Sequence, residues 1–273
     1  SVRKAWRPPD KIYRTLEVAD VLAAGADAGL ESVVLIESGT SEEENEWLSQ
    51  VAGDPAVLSF VAYADPLAED FDHTVERWTG SPKLRGFRFR LEGIHGPEVL
   101  AEPRLMYALS ALEQKSLLVE LLVEPLHLRA TAESLRAVPR LTAVVEHLAK
   151  PRFDAEATDD ERQEWRNGMA AIAKLPATVC KLSLSPRAES FGEGTFTAEP
   201  WDSRRIGPWV RFAYEQFGPR RCCWGSDWPI SGLLGDYGDI VLTMQSALGP
   251  VSGADREAVF HGNALRIYDP VAR

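Results

Sequence analysis

Short apolar runs alternate with helical patterns along almost the whole chain. The runs cover 32–36, 57–62, 84–89, 117–123, 141–146, 178–182 and 221–225. They are continuously apolar rather than alternating, the pattern of parallel strands covered on both faces. Between them a 3.6-residue period predicts helices over about 16–28, 42–53, 69–79, 104–114, 128–137, 159–174, 204–217, 236–248 and 253–267. Ser41 with Glu44 and Thr158 with Glu161 fit the capping-box pattern, and Ser252 with Asp255 makes a weaker one. The run Glu42-Glu43-Glu44 is therefore read as a solvated first helical turn that complements the helix dipole, not as a metal cluster.

Repeated strand–helix units at this length suggest an α/β fold, either a (β/α)8 TIM barrel or a doubly wound sheet. Seven strands are found, one short of a closed eight. The chain enters a helix near Leu16 with no strand before it, so in barrel order the missing strand is the first. No internal repeat, low-complexity segment or linker divides the chain, and a single domain over 1–273 is expected. The stretch 185–201, rich in Gly, Ser, Pro and Thr, is a candidate lid.

Composition narrows the function classes. At 273 residues and 45 % hydrophobic, the chain can bury a large core. No run approaches the roughly 18 apolar residues of a membrane span. The basic, Pro-rich start has no apolar run behind it, so no secretory signal is expected. A net charge of −11 argues against nucleic acid and anionic membranes as partners. A small-molecule substrate is expected, with homo-oligomerisation left open. Cys180, Cys222 and Cys223 fit neither a disulfide framework nor a zinc spacing and are read as buried thiols. A reducing cytoplasm fits them best.

Candidate chemistry lies at the strand ends. In Arg221-Cys222-Cys223-Trp224-Gly225-Ser226-Asp227-Trp228-Pro229, a short apolar strand runs into a Gly/Pro turn that carries a lone carboxylate. Asp227 is either a satisfied turn-former or a working acid/base, because a buried charge needs a partner or a metal. His147 ends another buried-type strand just before a Pro turn. His73, His95, His127 and His261 have no such setting and are read as structural. Strand alternation puts Arg88 and Arg90 on one face and Phe87 and Phe89 on the other. An arginine there calls for a substrate anion, for hydroxyls, or for an internal carboxylate such as Glu120 or Glu146. Lys181 poses the same question. Trp228, Trp224 and Trp201 offer ring-stacking surfaces near the presumed site, although filling the core is the commoner role of tryptophan.

Several segments, in order, resemble the amidohydrolase-2 group of the metal-dependent hydrolase superfamily, and most closely its sugar-acid lactonase branch. They are Leu84-Arg85-Gly86-Phe87-Arg88, Val145-Glu146-His147-Leu148-Ala149-Lys150-Pro151, Cys180-Lys181-Leu182-Ser183, Phe217-Gly218-Pro219-Arg220-Arg221 leading to Gly225-Ser226-Asp227-Trp228-Pro229, and Asn263-Ala264-Leu265-Arg266-Ile267-Tyr268. The resemblance implies a (β/α)8 barrel with its site at the strand C-termini. It also implies that His147 and Asp227 match the family's histidine after strand six and acid after strand eight. Glu146 stands where the family commonly has Asp, and Ala149 where Gly is usual. The family's first strand ends in His-x-His, and this chain contains no such motif. The natural product is expected to begin upstream of Ser1, the alternative being a barrel without its first strand.

The expected activity is hydrolysis of a small lactone. Asp227 serves as general base on water, His147 orients that water or stabilises the oxyanion, and Arg88, Arg90, Lys181 and Trp228 hold substrate. The resemblance also implies one divalent ion, zinc or similar, in the complete protein, with His147 and Asp227 as ligands. With only those two, this chain as given is expected to bind metal weakly or not at all. Two alternatives are decarboxylation of an aromatic or unsaturated acid, and a truncated barrel that acts as a non-catalytic binding protein.

Overall fold

Seven parallel strands pair in sequence order: β1 (Val33–Ile36), β2 (Val57–Tyr63), β3 (Leu84–Arg90), β4 (Leu118–Leu122), β5 (Ala143–Val145), β6 (Thr178–Leu182) and β7 (Cys222–Trp224). The computed structural model describes residues 12, 14–93, 95–153, 157–186 and 200–270. The expected lid over 185–201 falls largely outside them, as does most of the basic N-terminal segment.

Parallel neighbours need crossover connections, and helices supply them. After α1 (Val18–Gly25) come α2 (Glu42–Val51), α3 (Phe71–Thr79), α4 (Pro103–Gln114), α5 (Leu128–Leu135), α6 (Asp159–Ala173), α7 (Ser203–Phe217) and α8 (Tyr237–Leu248). A doubly wound sheet reverses its strand order at a switch point. This sheet never reverses, which removes that alternative. Instead it curls, and side chains reach across its concave face: Arg88 of β3 meets Glu146 just beyond β5. Among the described residues no pairing joins β7 to β1, and no strand precedes β1.

Strand alternation separates two cores. Outward residues such as Phe87, Phe89, Val119, Leu121 and Cys180 pack under the helices. The rings of Phe89 and Phe71 of α3 meet edge to face at 6.0 Å. Inward residues Val61, Leu118, Val144, Val179 and Cys223 form a small apolar floor together with Ile267 and Tyr268. Those last two come from the chain's final helix.

The single helix expected over 253–267 is instead α9 (Gly253–Glu257), a π-helical turn (Ala258–Gly262) and α10 (Asn263–Tyr268). The extra residue in that turn re-aims α10. Asn263 Nδ2 donates to the carbonyls of Pro219 and Cys222, and Arg85 Nε donates to that of Ile267. The box at Thr158 and Glu161 forms in both directions. At Ser41 only half forms: Ser41 Oγ accepts from Glu44 N, while the Glu44 carboxylate turns away to Ser38 N and Oγ. All three cysteines are buried free thiols. No described helix is long and apolar enough to cross a membrane.

Candidate active site

Above the apolar floor the barrel interior is charged. Lys181 Nζ lies 2.7 Å from Glu120 and 3.2 Å from Glu146. Tyr268 donates its hydroxyl to the other oxygen of Glu120. Arg88 Nε donates to Glu146 at 2.6 Å, and its Nη1 donates to the Glu37 carbonyl. Arg90 forks onto both Glu37 oxygens at 2.7 and 3.1 Å. Three acids therefore face three bases, all buried except Arg90, which is partly so.

The partners set the charge states. Burial works against Arg88 and Lys181 as cations, but the facing carboxylates outweigh it and raise both pKa values. Burial also opposes ionisation of Glu146, yet Arg88 and Lys181 hold it well below the usual range. Glu120 shares its lysine with Glu146, and burial pushes it up to about 7. Burial likewise raises Glu37 against the pull of Arg88 and Arg90.

At the C-terminal rim the pattern changes. His147 follows β5 on a turn in which four consecutive residues are left-handed, with φ of 49° at His147, 56° at Leu148, 58° at Ala149 and 47° at Lys150. Such residues cost roughly 1–2 kcal/mol each outside glycine. The turn is held by Lys150 N donating to the His147 carbonyl and by Trp165 Nε1 donating to the Leu148 carbonyl at 2.7 Å. Asp227 is also left-handed, at φ 55°, after β7 and before a cis Trp228–Pro229 bond.

These two strained turns bring His147 and Asp227 together. His147 Nε2 is 3.8 Å from Asp227 Oδ1, and His147 Nδ1 is 2.8 Å from Ser183 Oγ. The Asp227 side chain keeps 19 % of its exposure. Its Oδ2 is nevertheless buried and has no hydrogen-bond partner among the described residues. Burial pushes the Asp227 carboxyl up to about 6, with Lys150 and the Ser185 hydroxyl opposing the rise. Burial keeps the His147 pKa well below its ordinary value, so the imidazole is neutral at physiological pH. An acceptor with a spare buried lone pair beside a neutral imidazole can activate water and steady a developing negative charge.

Of the residues expected to hold substrate, Arg88, Arg90 and Lys181 spend their charges on Glu146, Glu37 and Glu120, so the structure takes the internal-carboxylate option for each. Trp228 stands half-buried next to Asp227. Trp224 packs against Tyr237 and Phe260. His127 is structural: Nδ1 accepts from Glu124 N, so Nε2 carries the proton and donates to the His95 carbonyl. Sequence reasoning missed Glu37, Glu92 and Ser183. Glu37 ends an apolar strand, the same signal that singled out Asp227. Ser183 is one inward step beyond Lys181. Glu92 pairs with Lys150 at 2.7 Å.

His147 Nε2 and the Asp227 oxygens could supply two ligands to a divalent ion. Catalytic zinc takes three protein ligands, and no group of three candidate ligands occurs among the described residues. The described residues alone do not fit a zinc site, and no step below runs through a metal.

A curled parallel α/β sheet with a histidine and an acid at its strand C-termini is a barrel-type architecture with polar groups at its catalytic end. The amidohydrolase family profile matches residues 7–269, and the chain belongs to that family. It is 31 % identical to an L-fucono-1,5-lactonase of Burkholderia ambifaria, over 97 % of this chain and 90 % of that protein. It is 26 % identical to an L-fucono-1,5-lactonase of Burkholderia multivorans, over 86 % and 79 %. A solved amidohydrolase from Burkholderia multivorans with bound zinc superposes with a TM-score of 0.81 at 23 % identity, over 94 % of this chain and 90 % of that one.

Proposed function

We propose that this chain hydrolyses a small uncharged lactone, on a (β/α)8-type barrel of which seven strands lie among the described residues. The observation that carries the reading is the Asp227–His147 pair at the strand ends, with the Asp227 side chain still 19 % exposed and its Oδ2 without a hydrogen-bond partner among the described residues. Asp227 takes a proton from water, and the resulting hydroxide attacks the ring carbonyl. The His147 Nε2 proton faces the oxyanion that forms. Collapse breaks the ring C–O bond, and the alkoxide leaving group recovers the proton from Asp227, giving an open hydroxy acid.

The electrostatics support an uncharged substrate. Arg88, Arg90, Lys150 and Lys181 each already face a carboxylate, so none of the four is left for an acid group on a ligand. That weighs against the decarboxylase alternative. Trp228 is placed to cover one face of a sugar ring. The lactonase names of the curated relatives point the same way.

The test is a panel of sugar lactones, starting with L-fucono-1,5-lactone and L-rhamnono-γ-lactone, followed by acid release. Turnover with an acid limb near pH 6 is expected, because the Asp227 carboxylate must be ionised to act. No turnover above the uncatalysed rate, with and without added zinc, would remove the hydrolase reading.

A further inference from the structure

We propose that Ser183 is a positioning residue: its hydroxyl donates to His147 Nδ1 and thereby fixes the imidazole proton on Nε2, facing Asp227. The inference deepens the lactonase reading and rests on it for its kinetic consequence, but not for its structural one. Ser183 follows β6 on the inward face, is 1 % exposed, and lies 2.8 Å from His147 Nδ1. His147 itself is 4 % exposed, so Nδ1 cannot easily exchange the buried Ser183 hydroxyl for water.

A neutral imidazole carries one N–H, and the two ways of placing it are unequal here. With the proton on Nδ1, the Nε2 lone pair points toward Asp227 Oδ1 at 3.8 Å, lone pair against carboxylate. With the proton on Nε2, the ring presents a donor to that carboxylate and accepts from the serine. A serine hydroxyl rotates to serve either arrangement, so the carboxylate decides and the serine locks the choice.

The lock separates two roles. His147 becomes the hydrogen-bond donor to the oxyanion, and Asp227 is left as the base. Without the Ser183 hydroxyl, Nδ1 faces a dry wall and the ring is free to change tautomer or turn. The left-handed backbone of His147 fixes where the ring starts, but not which nitrogen holds the proton.

The experiment is 15N–1H correlation spectroscopy of histidine-labelled, metal-free protein, with the His147 signals assigned by their loss in His147→Gln. The Nε2–H pattern, with Nδ1 at the shift of a nitrogen that accepts a hydrogen bond, is expected in the parent and in Ser183→Thr, and in Ser183→Ala the Nδ1 signal should move downfield to that of an unbonded lone pair. Kinetics with the lactone turned over should show kcat of Ser183→Ala lower by roughly 10–100-fold with KM nearly unchanged. Ser183→Thr should recover most of that loss. An Nδ1–H pattern in the parent, or an Nδ1 signal that does not move in Ser183→Ala, overturns the proposal. The tautomer readout needs no substrate, so it stands or falls apart from the lactonase assignment. If Ser183→Thr is too bulky beside Gly225, Ser183→Cys supplies the weaker donor for the same comparison.

Discussion

The barrel interior holds two sets of buried polar groups that differ in how they are satisfied. In the lower set, Glu37, Arg88, Arg90, Glu120, Glu146 and Lys181 pair acid to base across the concave face of the sheet, mostly between strands two places apart. In the upper set, His147 and Asp227 stand 3.8 Å apart, and one Asp227 oxygen has no hydrogen-bond partner among the described residues. The lower set fills space that apolar side chains fill in other barrels, and every acid in it faces a base. The upper set keeps a carboxylate in a state from which it can still take a proton. Matching produces rigidity and incomplete matching produces reactivity.

The comparison is broken most directly at Asp227. Asp227→Asn removes the base and should lower kcat/KM by roughly 10²–10⁴-fold with the circular dichroism spectrum unchanged. A rate within threefold of the parent would place the base elsewhere. In the matched set, Arg88→Met should destabilise the fold by about 3–5 kcal/mol in urea unfolding, because Glu146 is left buried without its guanidinium. A loss under 1 kcal/mol would show that the lower set is not held by pairing.

The same Asp227→Asn variant should be more stable than the parent. The folded pKa of about 6 lies above the ordinary aspartate value of 3.8, so the folded state holds its proton more tightly than the unfolded chain. Stability from this group is therefore intact below about pH 4 and lost as pH rises through 6. At pH 7–8 the variant should gain about 2–3 kcal/mol, and below pH 4 the gain should vanish. A gain that persists in acid would point to packing rather than charge. The smallest effect is expected at the strained turn: Ala149→Gly relieves one left-handed residue and should stabilise by roughly 0.5 kcal/mol, part of the relief being offset by glycine's backbone entropy. A loss on thermal melting would mean that the buried methyl group outweighs the strain.

Much of this organisation was legible in the sequence. The seven apolar runs became the seven strands, within a residue or two at most ends, because parallel strands covered on both faces leave an unbroken apolar signature. His147 and Asp227 stood out because polar residues ending such strands need a reason to be there. Pairing was not legible. Arg88 could have faced a ligand or a carboxylate, and only the curl of the sheet shows Glu146 across from it, 58 positions along the chain. Glu37 carried the right local signal but lay in the least distinctive strand. The break in the final helix had no local cue either, since what re-aims α10 is its contact with Pro219 and Cys222.

The hydroxyl of Tyr268 reaches Glu120 across 148 positions of chain, and this places a constraint on how the molecule is made. At typical synthesis rates the ribosome needs roughly 7–30 s to travel from Glu120 to Tyr268. For that interval the first strands exist while the floor beneath them does not. Glu120, Arg85 and the apolar residues around them must wait, solvated or sheltered by a chaperone, for the last short helix to emerge. The stopper that seals the barrel is made 148 positions after the glutamate it holds, so the floor can be completed only once that helix has been synthesised.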